Sequence, residues 1–507
     1  MLKLPFLLFF ILTLFRMQDL YAQKKTDPKI IEIVNADQIK YDQKFKDAQR
    51  LKGNVILLHD GTYMYCDSAM LFSKQKRFHA YGHIHVKRGD TLNIFGDSLH
   101  YSADKKWCKV WNNIRLVEKD LQLTTDSIQF SGIENKAWYT GGAVITSTKN
   151  GNKLKSKNGT YYSPKKTIYF SKDVELTGKE YKLNADTLVY HTLSETAFFH
   201  GPTVIRSDES TIFCQGGWFE SKNEKSLFTK NVFIHRRENF LKGDSVLYDR
   251  KTGNGLAFGN VELKDTLQDF IFHGNKAEYN EFDQSFKISG KPLLTKPIQK
   301  DTLFVYADIF EGKQDTLAKK SRLKAFHRVK YYKNNIQGKC DSLYYSETDS
   351  LMKMFGNPVI WNDSSQITAD TILVKTANGK IFRADLRSNC FVASQADTIG
   401  FHQLKGKNMK VVFANEEIYK TYVFGNGQCI YFAGEKGKSY TGMNKTDCSD
   451  IVVRFKENEL KEITFITRPD AVIYPIDDLN PKDMLLKDFN WRIKERPASV
   501  NDLFPSE

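Results

Sequence analysis

An internal repeat constrains this chain more than any other feature. Asp followed by Ser or Thr recurs, with residues of mostly apolar character two and four places on. The copies are CDSAMLF at Asp67, GDSLHY at Asp97, TDSIQF at Asp126, ADTLVY at Asp186, GDSVLY at Asp244, CDSLYY at Asp341 and ADTILV at Asp370. A second block lies between them: KGNVILL at Asn54, YGHIHV at His83, NNIRLV at Asn113, KDVEL at Asp173, KNVFI at Asn231 and GNVEL at Asn260. The period is about 30 residues as far as roughly residue 300 and nearer 40 in places beyond it, which predicts longer loops there.

Both blocks alternate with period two, the pattern of a strand with one buried face. Leu99 and Tyr101 fall on one side, as do Ile128 and Phe130, Leu188 and Tyr190, and Val246 and Tyr248. In the second block the pairs are Val55 and Leu57, Ile84 and Val86, Ile114 and Leu116, Val174 and Leu176, Val232 and Ile234, and Val261 and Leu263. The opposite side carries His85, Arg115, Glu175 and Glu262. Gly, Asn and Asp between blocks supply turns. Each repeat therefore reads as a short strand, a turn and another strand, and no single copy can bury its apolar face alone. About fourteen stacked copies between residues 35 and 475 can, as an all-β solenoid or folded-over sheet. The 13% aromatic content and only 12 prolines in 507 residues agree with strands.

The leader MLKLPFLLFFILTLFRMQDLYAQ places Lys3 before an apolar run, Leu4 to Phe15, and small Ala22 before Gln23. The run is too short to span about 30 Å of hydrocarbon and has the length of a secretory core, so residues 1–22 read as a signal peptide. Lys3, Arg16 and Asp19 together contribute +1, so removal takes the net charge from +15 to +14. In an exported protein that charge argues against nucleic acid and for an acidic glycolipid, membrane surface or polysaccharide, because the cations are scattered along the chain.

The repeat also disposes of chemistry that isolated motifs would suggest. Gly96-Asp97-Ser98-Leu99 spells the signature of a family of serine lipases, but Ser68, Ser127, Thr187, Ser245, Ser342 and Thr371 occupy the same slot. No Asp-x-x-His follows to activate a serine, and an unassisted hydroxyl is a weak nucleophile. The Asp of the slot is expected to bind nearby backbone N–H groups at a turn. His83 and His85 are expected on one side of a strand, without a third metal ligand. Seven widely spaced cysteines make no disulfide framework; Cys429 with Cys448 is the one pairing worth checking, and the rest are expected to pack as small apolar residues. The reading is of a non-enzyme without cofactor or metal.

Taken in order, KGNVILLHDGTYMYCDSAMLF, HGPTVIRSD, KNVFIHRRENFLKGDSVLY and FGNVELKD resemble the OstA-like family, the periplasmic lipopolysaccharide-transport A group. The resemblance spans about residues 30 to 475. It implies an elongated antiparallel β-jellyroll, or β-taco, whose two sheets enclose an apolar groove for lipid A acyl chains. The twenty residues paired above are then the groove candidates. It further implies lipopolysaccharide and the transport components at the inner and outer membranes as partners, end-to-end self-association, and a periplasmic bridge toward the outer membrane. The alternative is a polysaccharide-binding or structural surface β-solenoid. Organisation follows the repeat: residues 1–22 leader, 23–300 regular repeats, 301–475 diverged repeats, and 476–507 a tail. The tail, with Met484, Leu485, Phe489 and Trp491 among charges, is expected to cap the last rung or to dock on a partner.

Overall fold

The computed structural model describes residues 30–505, apart from 42–46, 90–91, 150, 266–268, 299, 315–319, 363, 378–379, 397–399, 415–416, 435–439, 457–458 and 482. The leader lies outside the described residues. Among those described, no helix is long and apolar enough to cross a membrane. The protein is all-β and antiparallel, and it divides into two compact units, Met1–Gly253 and Asn254–Glu507.

In the first unit each strand from Ala48–His59 to Lys225–Arg236 pairs with the next in the chain. The strands are long, typically 11 or 12 residues, and each block of the repeat occupies only the second half of one. The expected pair of short strands is thus two halves of longer ones. What divides them is a bulge: the ladder breaks register between Lys52 and Val55, Tyr65 and Ser68, Tyr81 and Ile84, and Phe95 and Ser98. At each Gly-Asn block two consecutive residues enter the left-handed region, Gly53 and Asn54 at φ of 77° and 44°, Gly82 and His83 at 73° and 41°. L-residues other than Gly and Asn resist that conformation, which is why these letters recur. The bulge bends every strand at one place, so the sheet has two arms meeting at a continuous knee.

The second unit keeps this plan with two changes. Several strands are interrupted at the knee, as in Ser285–Ser289 followed by Leu293–Ile298, and Leu351–Phe355 followed by Val359–Asn362. Pro292 and Pro358 stand in these two gaps, where a missing N–H would break a ladder. The longer period after residue 300 was expected to lengthen loops. Strands lengthen there too: Lys380–Ala396 and Glu417–Ala433 have 17 residues each.

The tail contains three short 3-10 turns, at Ile476–Asp478, Ile493–Glu495 and Val500–Leu503. It does not cap the last rung, whose Ile473 stays 74% exposed. It lies instead across the outer face of the second unit, with Leu486 buried against Phe391, Ala393, Ile430, Phe432 and Met443.

Candidate functional site

The knee explains why the two sequence blocks travel together. In several copies the slot Asp does not serve local backbone, as its sequence suggested; its carboxylate accepts a hydrogen bond from a side chain on the neighbouring strand. Asn54 Nδ2 donates to Asp37 Oδ2 at 3.0 Å, Asn113 Nδ2 to Asp97 Oδ2 at 2.5 Å, and Asn389 Nδ2 to Asp370 Oδ2 at 3.0 Å. The donor in each case is the left-handed Asn of the second block. Before Asn54 a glycine serves space as well as conformation, because a Cβ at Gly53 would fall 2.2 Å from Asp37 Oδ2. His83 takes the Asn role, its Nδ1 2.7 Å from Asp67 Oδ2, and that carboxylate raises its pKa.

This bonding separates the two histidines. His85 Nε2 turns to Asn93 Oδ1 at 2.9 Å, so His83 and His85 do not converge, and no metal-ligand cluster exists among the described residues. Ser98 lies mid-strand opposite Tyr81 and Trp111. All seven cysteines are free, including Cys429 and Cys448, which were a candidate bridge. Burial pushes Cys429 up to about 12, the signature of an inert packed thiol.

The interior lies between the two arms. In the first unit one arm presents the second-block residues Val55, Leu57, Ile84, Val86, Ile114, Leu116, Val174, Leu176, Val232 and Ile234; in the second unit Val261 and Leu263 hold the corresponding positions. The other arm presents Leu99, Tyr101, Ile128, Phe130, Leu188, Tyr190, Val246 and Tyr248. Seventeen of these twenty are buried; Tyr101, Phe130 and Leu263 are half-buried. The sequence reading missed a third inward row, three residues before the second left-handed position: Leu51, Val110, Phe170 and Phe228, all at most 4% exposed. Its signal was present as a recurring apolar residue at a fixed offset from the block.

The arms also touch near their ends. Tyr101 Oη, on one arm, lies 2.6 Å from His59 Nδ1 at the end of the other. Burial pushes the Tyr101 hydroxyl up to about 12, so it stays neutral. Further along, Ile212 and Ile234 of one arm and Phe219, Phe228, Val246 and Tyr248 of the other border a small cavity of about 30 Å³. Arg236 and Arg250 are among its walls, paired with Glu209 and Glu224. Elsewhere at this edge the inward run Ile114, Leu116 ends on Glu118, whose carboxyl is pushed up to about 7 by burial, against the pull of Lys119. The larger depression, about 790 Å³, is an open hollow on the outer side of the knee, bordered by Arg115, Lys155, Asp173 and Glu175. In this conformation apolar side chains fill the space between the arms, so a guest there requires the arms to part.

Comparison with known proteins agrees with this architecture. Residues 28–186 match the family model described as OstA-like protein. Residues 219–380 match the model of the LptA/(LptD N-terminal domain) LPS transport proteins. No curated protein matches the chain. Among solved structures, the chain is similar to LptH, the LptA-homologous periplasmic component of the conserved lipopolysaccharide transport device from Pseudomonas aeruginosa. That similarity has 12% identity over 20% of this chain and 76% of LptH, with a TM-score of 0.19. This all-β, antiparallel chain thus carries an OstA-like segment and an LptA/LptD N-terminal segment, and the proteins of those families are lipopolysaccharide-transport proteins and not enzymes.

Proposed function

We propose that this protein carries lipopolysaccharide, with lipid A acyl chains held between the two arms. On this reading it works in the periplasm, handing its cargo along a path of transport components that runs from the inner to the outer membrane. The observation that carries the proposal is the pair of facing apolar rows, repeated rung after rung by the same two sequence blocks.

The energetics favour such a path. Each CH₂ kept from water is worth about 0.8 kcal/mol, so a fourteen-carbon chain in water costs about 11 kcal/mol. A lipid with several chains cannot cross an aqueous gap without cover. Here the cover is already paired with itself, so the arms must exchange arm-to-arm contacts for arm-to-lipid contacts of similar area. That exchange is nearly neutral, and it lets a chain move from rung to rung. The knee suits the motion, since its Asp–Asn ladder runs along the bend and keeps the rungs in register while the arms swing. Arg236 and Arg250, beside the cavity, are placed to meet phosphates as the arms open.

The test is a binding competition on the purified full chain. Fluorescent lipopolysaccharide should bind saturably, and lipid A should displace it where polysaccharide stripped of acyl chains does not. Binding only to the stripped glycan, or cleavage of it, would contradict the proposal and favour a polysaccharide-binding solenoid.

A further inference from the structure

The outer face of the second unit carries a row of side chains that has no counterpart in the repeat pattern. Direct cross-strand pairing puts Gln337, Trp361, Gln366, Ala393, Gln403, Ile430 and Lys445 in line on seven consecutive rungs. By alternation they face away from the interior. Outward glutamines on a sheet normally meet water, yet these three are at most 3% exposed, because the C-terminal segment covers them.

The glutamines read that segment by its backbone. Gln403 Nε2 donates to Met484 O at 2.8 Å, and its Oε1 accepts from Leu486 N–H at 2.9 Å. Gln366 repeats the pattern one period along: Nε2 donates to Asn490 O at 2.7 Å, and Oε1 accepts from Arg492 N–H at 2.7 Å. A primary amide offers one donor and one acceptor side by side, which matches a carbonyl and an N–H two residues apart. The two glutamines sit two strands apart, about 9.6 Å, and their contacts sit six residues apart on the segment. Gln337 closes the series by accepting from Arg496 Nε at 2.7 Å.

Lysines beside this row select charge. Lys405 Nζ reaches Lys487 O and Asp488, both at 2.9 Å, Lys339 reaches Glu495 at 2.7 Å, and Lys330 donates to Asp502 O at 2.8 Å. The Arg492 guanidinium and Lys339 hold Glu495 down to about 2, so it is ionised throughout the neutral range. Apolar anchors fix the register: Phe489 and Trp491 pack on Phe401 at 5.0 and 4.8 Å between ring centres, and Phe504 on Tyr306 at 5.4 Å. Amides spaced to the sheet period, cations opposite carboxylates, and aromatic anchors together make a binding site for a particular peptide.

We propose that the outer face of the second unit is a peptide-binding surface specific for residues 483–504, and that it accepts this segment in trans from a second copy of the chain. The cis arrangement is then the resting state, and exchange of tails joins two molecules without any new interface. The proposal stands apart from lipid carriage and survives or fails without it.

The test uses the full chain with a protease site inserted between the exposed residues Asp477 and Asp478. After cleavage the tail is held only by the contacts above, and a large excess of labelled peptide 478–507 is added. The expected result is one labelled peptide bound per chain, at least tenfold weaker binding in Gln366→Ala with Gln403→Ala, and no binding of a scrambled peptide. Lys405→Ala, a surface change that leaves the amide row intact, should weaken binding two- to fivefold and keeps the test open if the double variant does not fold. A folded, cleaved chain that takes up no labelled peptide would overturn the proposal. So would equal uptake of the scrambled sequence, or undiminished binding by the variants.

Discussion

The two units share a knee, an alternation and an apolar interior, yet their outer faces differ in chemistry. In the first unit the outward positions after the left-handed pair include the polar His85, Arg115 and Glu175. In the second unit outward positions on the same arm include Trp361, Phe391 and Phe432, all buried, and a length of chain lies over them. One strand plan therefore gives a water-facing surface or a covered one according to a few outward residues. The lesson is that the inward rows define the fold, while the outward rows record what each stretch of sheet is for.

The largest expected effect breaks that difference directly. Phe432→Ala removes a fully buried ring from beneath the tail and should destabilise the second unit by about 3–5 kcal/mol. An outward change in the first unit, Arg115→Ala, should stay within about 0.5 kcal/mol. Denaturant unfolding of both variants checks this, and equal losses would mean that the two outer faces are energetically alike.

A smaller effect sharpens the contrast from the first unit. Burial raises the folded pKa of Glu118 from 4.5 to about 7, so the folded chain holds a proton that the unfolded chain has released. The resulting penalty is absent below pH 4.5, grows as pH rises toward 7, and is complete above it. Glu118→Gln should therefore match the parent at pH 4 and exceed it at pH 8 by up to about 3 kcal/mol. Thermal unfolding at the two pH values reads the difference, and a gain that does not depend on pH would contradict the assignment.

Much of this was legible in the sequence, because period-two alternation survives any bending of the strand. Leu57, Ile84, Leu99 and Val246 could be placed inward from letters alone. The knee was not legible as a knee. Asn54 and Asp37 lie 17 residues apart, and only the ladder brings Asn Nδ2 to the carboxylate; read singly, each looked like a turn residue. Nor was the inward row at Leu51 and Phe228 noticed, since it falls before the block and not within it.

The tail's docking site was written in the sequence but needed a different question. Cys390-Phe391-Val392-Ala393 and Cys429-Ile430-Tyr431-Phe432 are apolar on both faces, where Ile84-His85-Val86 and Ile114-Arg115-Leu116 alternate. Such runs mean a strand covered on two sides. They sat opposite a segment rich in aromatic residues that had no core of its own.

The account rests on the interior between the arms being the lipid's route, and photo-crosslinking tests it most directly. A photoreactive residue at Leu99, Leu188 or Val246 faces the interior; one at Arg115 or Glu175 faces outward on the same sheet. With lipopolysaccharide passing through, the account predicts lipid adducts at all three inward positions and none at the two outward ones. Adducts confined to the outward positions, with the inward ones silent, would contradict it.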